Sequence, residues 1–285
     1  MNSQEPIPAT PGPVSRSIEV AVEIAADRRD VWEALVDPVE LVRWFSLSAE
    51  VTPGPGGQTV WAWDDGWRWI STIDRWEPGV ALTLVNRDQR PFDTDGQLLP
   101  QGQVAPATLA MEFTLTTVAG GTRLRLVHSG FGRGSHWDDE FDGVSVGWAF
   151  ELRSLKLYLE RFRGRHRAGG LARISTSLSQ SEAWARLLGP GGFGLAPWPA
   201  GPGAAVALTV GDGDPMAGTV YFHVPDRDLS LTVAELGGGV FRLGTHQAMG
   251  KTGVSVWIAS YQPDDGRVAA LKARCQGIID RLFSS

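Results

Sequence analysis

The sequence predicts an α+β protein that uses one plan twice: a curved antiparallel sheet wrapped around a long C-terminal helix. Three observations carry the prediction. Short segments with the two-residue period of half-buried strands follow one another through 60–128 and again through 205–261. Each series ends in a stretch of helical period, over 139–162 and 265–283. The spacing of Trp32, Leu35 and Pro38 recurs at Trp184, Leu187 and Pro190, which reads as a diverged internal duplication. A chain of 285 residues also has room for two domains. The expected division is a Pro-rich flexible tail (1–17), a first domain (18–163), a linker (164–170) and a second domain (171–285).

In the first domain, Ile18, Val20, Val22 and Ile24 alternate with Glu19, Ala21 and Glu23 to form the opening strand. Asp27 is the expected N-cap of a helix running through Val36. Asp37–Pro38 stops it, because the residue before proline resists the helical region. A second short helix is expected from Val39 to Phe45, then a loop at Gly54, Gly56 and Gly57. Val60–Trp63 and Trp67–Trp76 pair through the Asp64–Asp65–Gly66 turn, an Asp-Gly hairpin signal. Strands follow at Val80–Asn86, Leu109–Leu115 and Arg123–His128, with 87–106 as a long polar loop. Phe141, Val144, Trp148, Leu152, Leu155, Leu159 and Phe162 make the stripe of the long helix. An open meander needs cover on one face, and no other element is large enough to supply it.

The second domain repeats the order. A strand is expected at Leu171–Ser177, a helix at Ser179–Leu188 and a Gly/Pro-rich loop at 189–203. Strands follow at Ala205–Val210, Gly218–Val224, Leu229–Leu236, Val240–Gln247 and Gly253–Tyr261. The terminal helix turns Val268, Leu271, Cys275, Ile278, Ile279 and Leu282 inward.

Composition excludes several classes. No run approaches the ~18 apolar residues of a membrane span, so no membrane insertion is expected. Residues 1–17 lack the apolar core of a secretory signal. A single cysteine, Cys275, cannot staple its own chain or anchor a cysteine metal site, which leaves the cytoplasm as the expected compartment. A net charge of −6 argues against nucleic acid as a partner. Residues 171–285 balance nine acids with nine bases, so that charge lies in the first 170 residues, where nine of the twelve tryptophans also fall.

The segments Ile24–Leu35 and Leu41-Val42-Arg43-Trp44-Phe45, the strand Thr122–Phe131 and the helix with Gly147-Trp148 and Tyr158-Leu159 together resemble a known pattern. It is that of the START-like (SRPBCC, helix-grip) superfamily, in the branch related to the C-terminal domain of the Hsp90 ATPase activator. The resemblance covers 18–163 by sequence and 171–285 by topology. It implies tandem helix-grip folds, and members bind lipids, polyketides, hormones or chaperones in or on that frame. The activator's separate chaperone-binding domain has only the Pro-rich tail as a counterpart here, so chaperone stimulation is not what the resemblance favours.

The candidate site follows from strand parity. Trp61 and Trp63 share a face, as do Trp67 and Trp69, so one hairpin presents four indoles to one side. Flat aromatic walls suit planar apolar ligands. Phe113, Leu126 and His128 share the inward parity, Trp148 and Leu152 sit mid-stripe on the helix, and Trp44 with Phe45 are expected at the mouth. The expected function is binding of a hydrophobic, aromatic or polyketide-like small molecule between sheet and helix of the first domain, without catalysis, cofactor or metal. Two alternatives stay open: an aromatase/cyclase-type enzyme using His128 as acid/base, and a co-chaperone-like protein-binding module. A homodimer is compatible with either. His136 with Asp138, Asp139 and Glu140 reads as the charged start of the long helix. Arg161, Arg163, Arg165, His166 and Arg167 read as its solvated end. In the second domain only Tyr221, His223 and His246 are inward polar candidates, and that domain is expected to act as a structural partner or lid.

Overall fold

The computed structural model describes residues 16–284 except 65, 196–200, 212–214 and 263. The tail therefore lies outside the described residues up to residue 15, as do Asp65 of the hairpin turn and part of the 189–203 loop; Arg16 and Ser17 already belong to the first strand.

The first sheet has seven antiparallel strands in the order β1-β7-β6-β5-β4-β3-β2. They are β1 (Arg16–Ile24), β2 (Ser48–Thr52), β3 (Gln58–Ala62), β4 (Arg68–Glu77), β5 (Ala81–Gln89), β6 (Ala107–Val118) and β7 (Gly121–Phe131). Helices α1 (Arg28–Val36) and α2 (Pro38–Leu41) connect β1 to β2. Helix α3 (Ser135–Leu157) follows β7 and ends in a π-helical turn, Tyr158–Phe162. Its stripe is buried at Trp148, Leu152, Leu155, Leu159 and Phe162, and at roughly 1.5–3 kcal/mol per apolar side chain this face holds helix to sheet.

The second sheet has six antiparallel strands in the order β8-β13-β12-β11-β10-β9. These are β8 (Ala168–Thr176), β9 (Ala205–Thr209), β10 (Pro215–Val224), β11 (Asp228–Val233), β12 (Gly239–Ala248) and β13 (Lys251–Ser260). Helix α4 (Gln180–Leu188) stands in the place of α1, and α5 (Asp265–Phe283) in that of α3. The orders correspond strand for strand, with β2 and α2 lacking counterparts. Trp32 and Trp184 are both buried on the first helix of their copy. The protein is thus a tandem of helix-grip folds.

The elements differ from expectation at several places. Ala234–Leu236 form a 3-10 turn where the expected strand Leu229–Leu236 would end. The second short helix stops at Leu41, and Val42–Phe45 continue as a turn. Strand β2 is not expected from the sequence, because its alternation is only two apolar residues long, Ala49 and Val51 between Ser48, Glu50 and Thr52, and this short edge strand is nowhere more than half-buried. The long helix begins at Ser135, four residues before the expected start of helical period at 139 and six before Phe141, the first residue of its apolar stripe. Strand β8 takes up Ala168–Gly170, which the composition assigns to the linker.

The two grips pack through α3. One side of this helix lies on β1 and the other on β12. Phe150, 1% exposed, meets Phe222 of β10, and the Arg242 guanidinium of β12 stacks 4.0 Å above the Phe150 ring. Tyr221 donates its hydroxyl to the Arg153 carbonyl at 2.7 Å, and Tyr261 stacks on Phe162 at 4.0 Å between centroids. Arg167 is not part of a solvated helix end. It is buried and donates to the carbonyls of Phe45 and Ser46, tying the start of the second grip to the turn after α2.

Candidate functional site: a cavity between the grips

A cavity of about 250 Å³ opens where the first sheet, α3 and the outer face of the second sheet converge. Its aromatic wall comes from the β3–β4 hairpin. Trp61 and Trp69 face each other across the ladder, and Trp63 packs on Trp67 with ring centroids 5.1 Å apart. All four indoles line the cavity, as the strand parity predicts. Phe45, Met111, His128 and Trp148 complete this side. Phe45 stacks on Trp148 at 5.7 Å, with the ring planes 14° apart.

Four sequence-predicted residues lie elsewhere. Trp44 is no mouth residue: it is 3% exposed, and its indole N–H donates to the Ala34 carbonyl at 2.8 Å, which locks it into the core. Phe113, Leu126 and Leu152 have the inward parity but pack among neighbours in the first core. Inward parity selects one face of the sheet, and α3 covers part of that face completely.

The polar groups on the aromatic wall are mostly donors. Trp148 Nε1–H donates to His128 Nδ1 at 3.0 Å. Because indole N–H only donates, His128 Nδ1 must accept, and the neutral ring then carries its hydrogen on Nε2. That Nε2 is buried without a partner, as are the indole nitrogens of Trp61 and Trp67. Trp69 differs, with its N–H on Asn86 Oδ1 at 3.2 Å. Burial pushes the His128 pKa down to about 3, so the ring is neutral over the physiological range.

The opposite wall is charged and was not legible in the sequence. Arg173, Arg227, Asp228, Arg242 and His246 line it from the second sheet, and Glu140 and Glu151 from α3. Arg242 donates through Nε and Nη2 to Asp228 at 2.9 and 2.7 Å, with Glu151 3.8 Å away. Arg173 pairs with Asp64 of the hairpin turn at 2.7 Å, and Arg227 pairs with Asp142 of α3. Burial raises both Glu140 and Glu151 to about 7. Burial first, then the three neighbouring arginines, lowers His246 to about 4. Of these, the sequence marks only His246 as an inward candidate and Glu140 as part of the helix start. Arg173, Asp228 and Arg242 sit at outward parity on strands whose other face fills the second core, Arg227 lies in the turn between β10 and β11, and Glu151 is on α3, so nothing local marks them as facing a partner. Tyr221 packs against α3 outside the cavity, and His223 does not line it.

Among the described residues no group of three or more His, Cys, Asp or Glu side chains is arranged to hold a metal ion. No described helix is long and apolar enough to cross a membrane. Asp138 of the helix start pairs with Arg16 at 2.5 Å. Cys275 is fully buried in the second core and its thiol is pushed up to about 12.

Fold and cavity together define a helix-grip protein whose two copies share one composite pocket. Residues 25–160 match the family model of activator of Hsp90 ATPase homolog 1-like proteins. Among solved structures, protein MLL2253 from Mesorhizobium loti is 23% identical over 52% of this chain and 99% of its own, with a TM-score of 0.44. DynU16, described as a putative protein in the dynemicin biosynthetic locus, is 20% identical over 92% of this chain and 95% of its own, with a TM-score of 0.41. The Aha1 dimer from Colwellia psychrerythraea is 19% identical over 52% of this chain and 99% of its own, with a TM-score of 0.39. No curated protein matches the chain by sequence.

Proposed function

We propose that the protein binds a hydrophobic, planar aromatic small molecule of polyketide type in the indole-lined cavity and holds it without transforming it. The observation that carries this reading is the set of partnerless donors at Trp61, Trp67 and His128. A buried donor without a partner costs roughly 1–3 kcal/mol, and all three lie on one aromatic wall. A fused ring system with carbonyl or phenol oxygens along its edge would cover the indoles and satisfy the donors together. A fatty acid would offer oxygens at one end only.

Binding is favoured over an aromatase/cyclase reading by the state of His128. A ring that takes a proton only near pH 3 is a weak base at neutral pH. With Nδ1 occupied by Trp148, its remaining nitrogen is suited to donate. Thermal melting with excess hydroxyanthraquinone tests the reading. At a hundredfold excess over Kd the gain is about 2.7 kcal/mol, a rise of several degrees in Tm. A Tm that moves with palmitate and not with the anthraquinone would overturn it.

A further inference from the structure

We propose that the ring system lies flat on the bare backbone of α3 at Gly143 and Gly147, with the outer face of the second sheet as the opposing jaw. The site is then complete only at the junction of the two grips. This inference rests on the ring-binding reading above and adds where the ring sits and what limits its thickness.

Glycine inside a helix costs stability relative to alanine, because its backbone is freer when unfolded. Two glycines one turn apart in α3 therefore need a reason. Close packing is not that reason, since a Cβ on either would meet nothing within 4 Å. Both nevertheless line the cavity. At about 100° per residue they point away from the stripe of Trp148, Leu152 and Leu155 and share a face with Phe150. Phe150 packs against Phe222 and Arg242, so that face looks at the second sheet.

The sheet opposite is also trimmed. Gly244 pairs with Ser255 and His246 with Gly253 on its outer face, and all four line the cavity. A Cβ at Gly253 would stand 2.2 Å from the His246 ring, so the imidazole lies directly over the strand backbone. Helix backbone on one side and small residues on the other leave a slot, with Glu140 a turn before the glycines and Glu151 a turn after. A second, independent observation points to a ligand in the same space. His128 is 1% exposed, lines this cavity and keeps an unpartnered Nε2. The geometry admits a flat polycycle and excludes ligands with bulk above and below the ring plane.

The test uses the full chain and calorimetric titration with a hydroxyanthraquinone. Gly147→Leu fills the slot from the helix side, and leucine favours the helix, so Tm should hold or rise. Ser255→Leu fills it from the sheet side. Both variants should bind at least about ten-fold more weakly than wild type. Should either folded variant keep the wild-type Kd, the sandwich is overturned while ring binding stands. If the wild-type protein takes up no anthraquinone, the ring-binding reading itself fails, and the slot with it.

Discussion

The indole of Trp148 on α3 and the imidazole of His128 on β7 form a directed pair, Nε1–H to Nδ1 at 3.0 Å. This one bond fixes the tautomer of a histidine that is 1% exposed and leaves its remaining hydrogen on the unpartnered Nε2. It has a pH signature. In the unfolded chain His128 gains a proton below about 6.5, whereas in the folded protein it stays neutral down to about 3. The unfolded state binds more protons in that window, so stability falls as pH drops, by up to about 1.4 kcal/mol per pH unit. Glu140 and Glu151, raised to about 7, act with the opposite sign, and their effect fades as pH falls below the usual carboxylate range. Melting curves from pH 7 to 4 should therefore fall more steeply for wild type than for His128→Gln. Parallel curves would contradict the buried neutral ring.

How far the sequence carried the site depended on which side of each strand mattered. The four indoles and His128 were legible because the two-residue period places them on one face, and that face bounds a cavity. The same parity included Phe113 and Leu126, since periodicity assigns a face but does not say where a helix will cover it. Arg173, Arg227 and Arg242 were illegible for a different reason. They become cavity residues only through the docking of one grip on the other, and arginine on an outward position looks like any solvated charge. The fold was legible almost throughout, except where short elements such as β2 take their form from pairing with a neighbour.

Trp67→Phe separates the indole ring from its N–H. Trp67 Nε1 is buried without a partner, so its removal should leave stability unchanged or slightly raised. Affinity for an oxygenated ring should fall about three- to ten-fold, the value of one hydrogen bond. Calorimetry at fixed temperature checks this, and an unchanged Kd would mean that the Trp67 nitrogen does not touch the ligand.

Phe113→Ala separates core from cavity. Phe113 is 3% exposed and meets the edge of Trp148 at 5.8 Å. Its truncation should cost about 3–5 kcal/mol in denaturant unfolding. The half-buried Trp63 lines the cavity, and Trp63→Ala should cost less stability and more affinity. The reverse ranking would place the pocket on the wrong side of Trp148.

Two ion pairs joining the site's elements should differ sharply. Asp228 is 3% exposed and holds Arg242 through two nitrogens, so Asp228→Ala leaves the guanidinium with only the more distant Glu151, at a cost of about 3–5 kcal/mol. Arg173 and Asp64 are 24% and 30% exposed. Because Asp64 Oδ1 also accepts from the backbone N–H groups of Gly66 and Trp67, the pair is tested from the other side: Arg173→Gln should cost under about 1 kcal/mol. Urea midpoints measure both. A large loss at Arg173 would mean that the hairpin turn depends on the second grip for its fold.

The most direct measurement is a tryptophan fluorescence titration of the whole chain with a hydroxyanthraquinone, run beside palmitate. Six indoles, those of Trp61, Trp63, Trp67, Trp69, Trp148 and Trp257, line one cavity of about 250 Å³, so the account predicts saturable quenching with one ring bound per chain and little response to palmitate. Quenching that fails to saturate, or a stronger response to palmitate than to the ring, would contradict it.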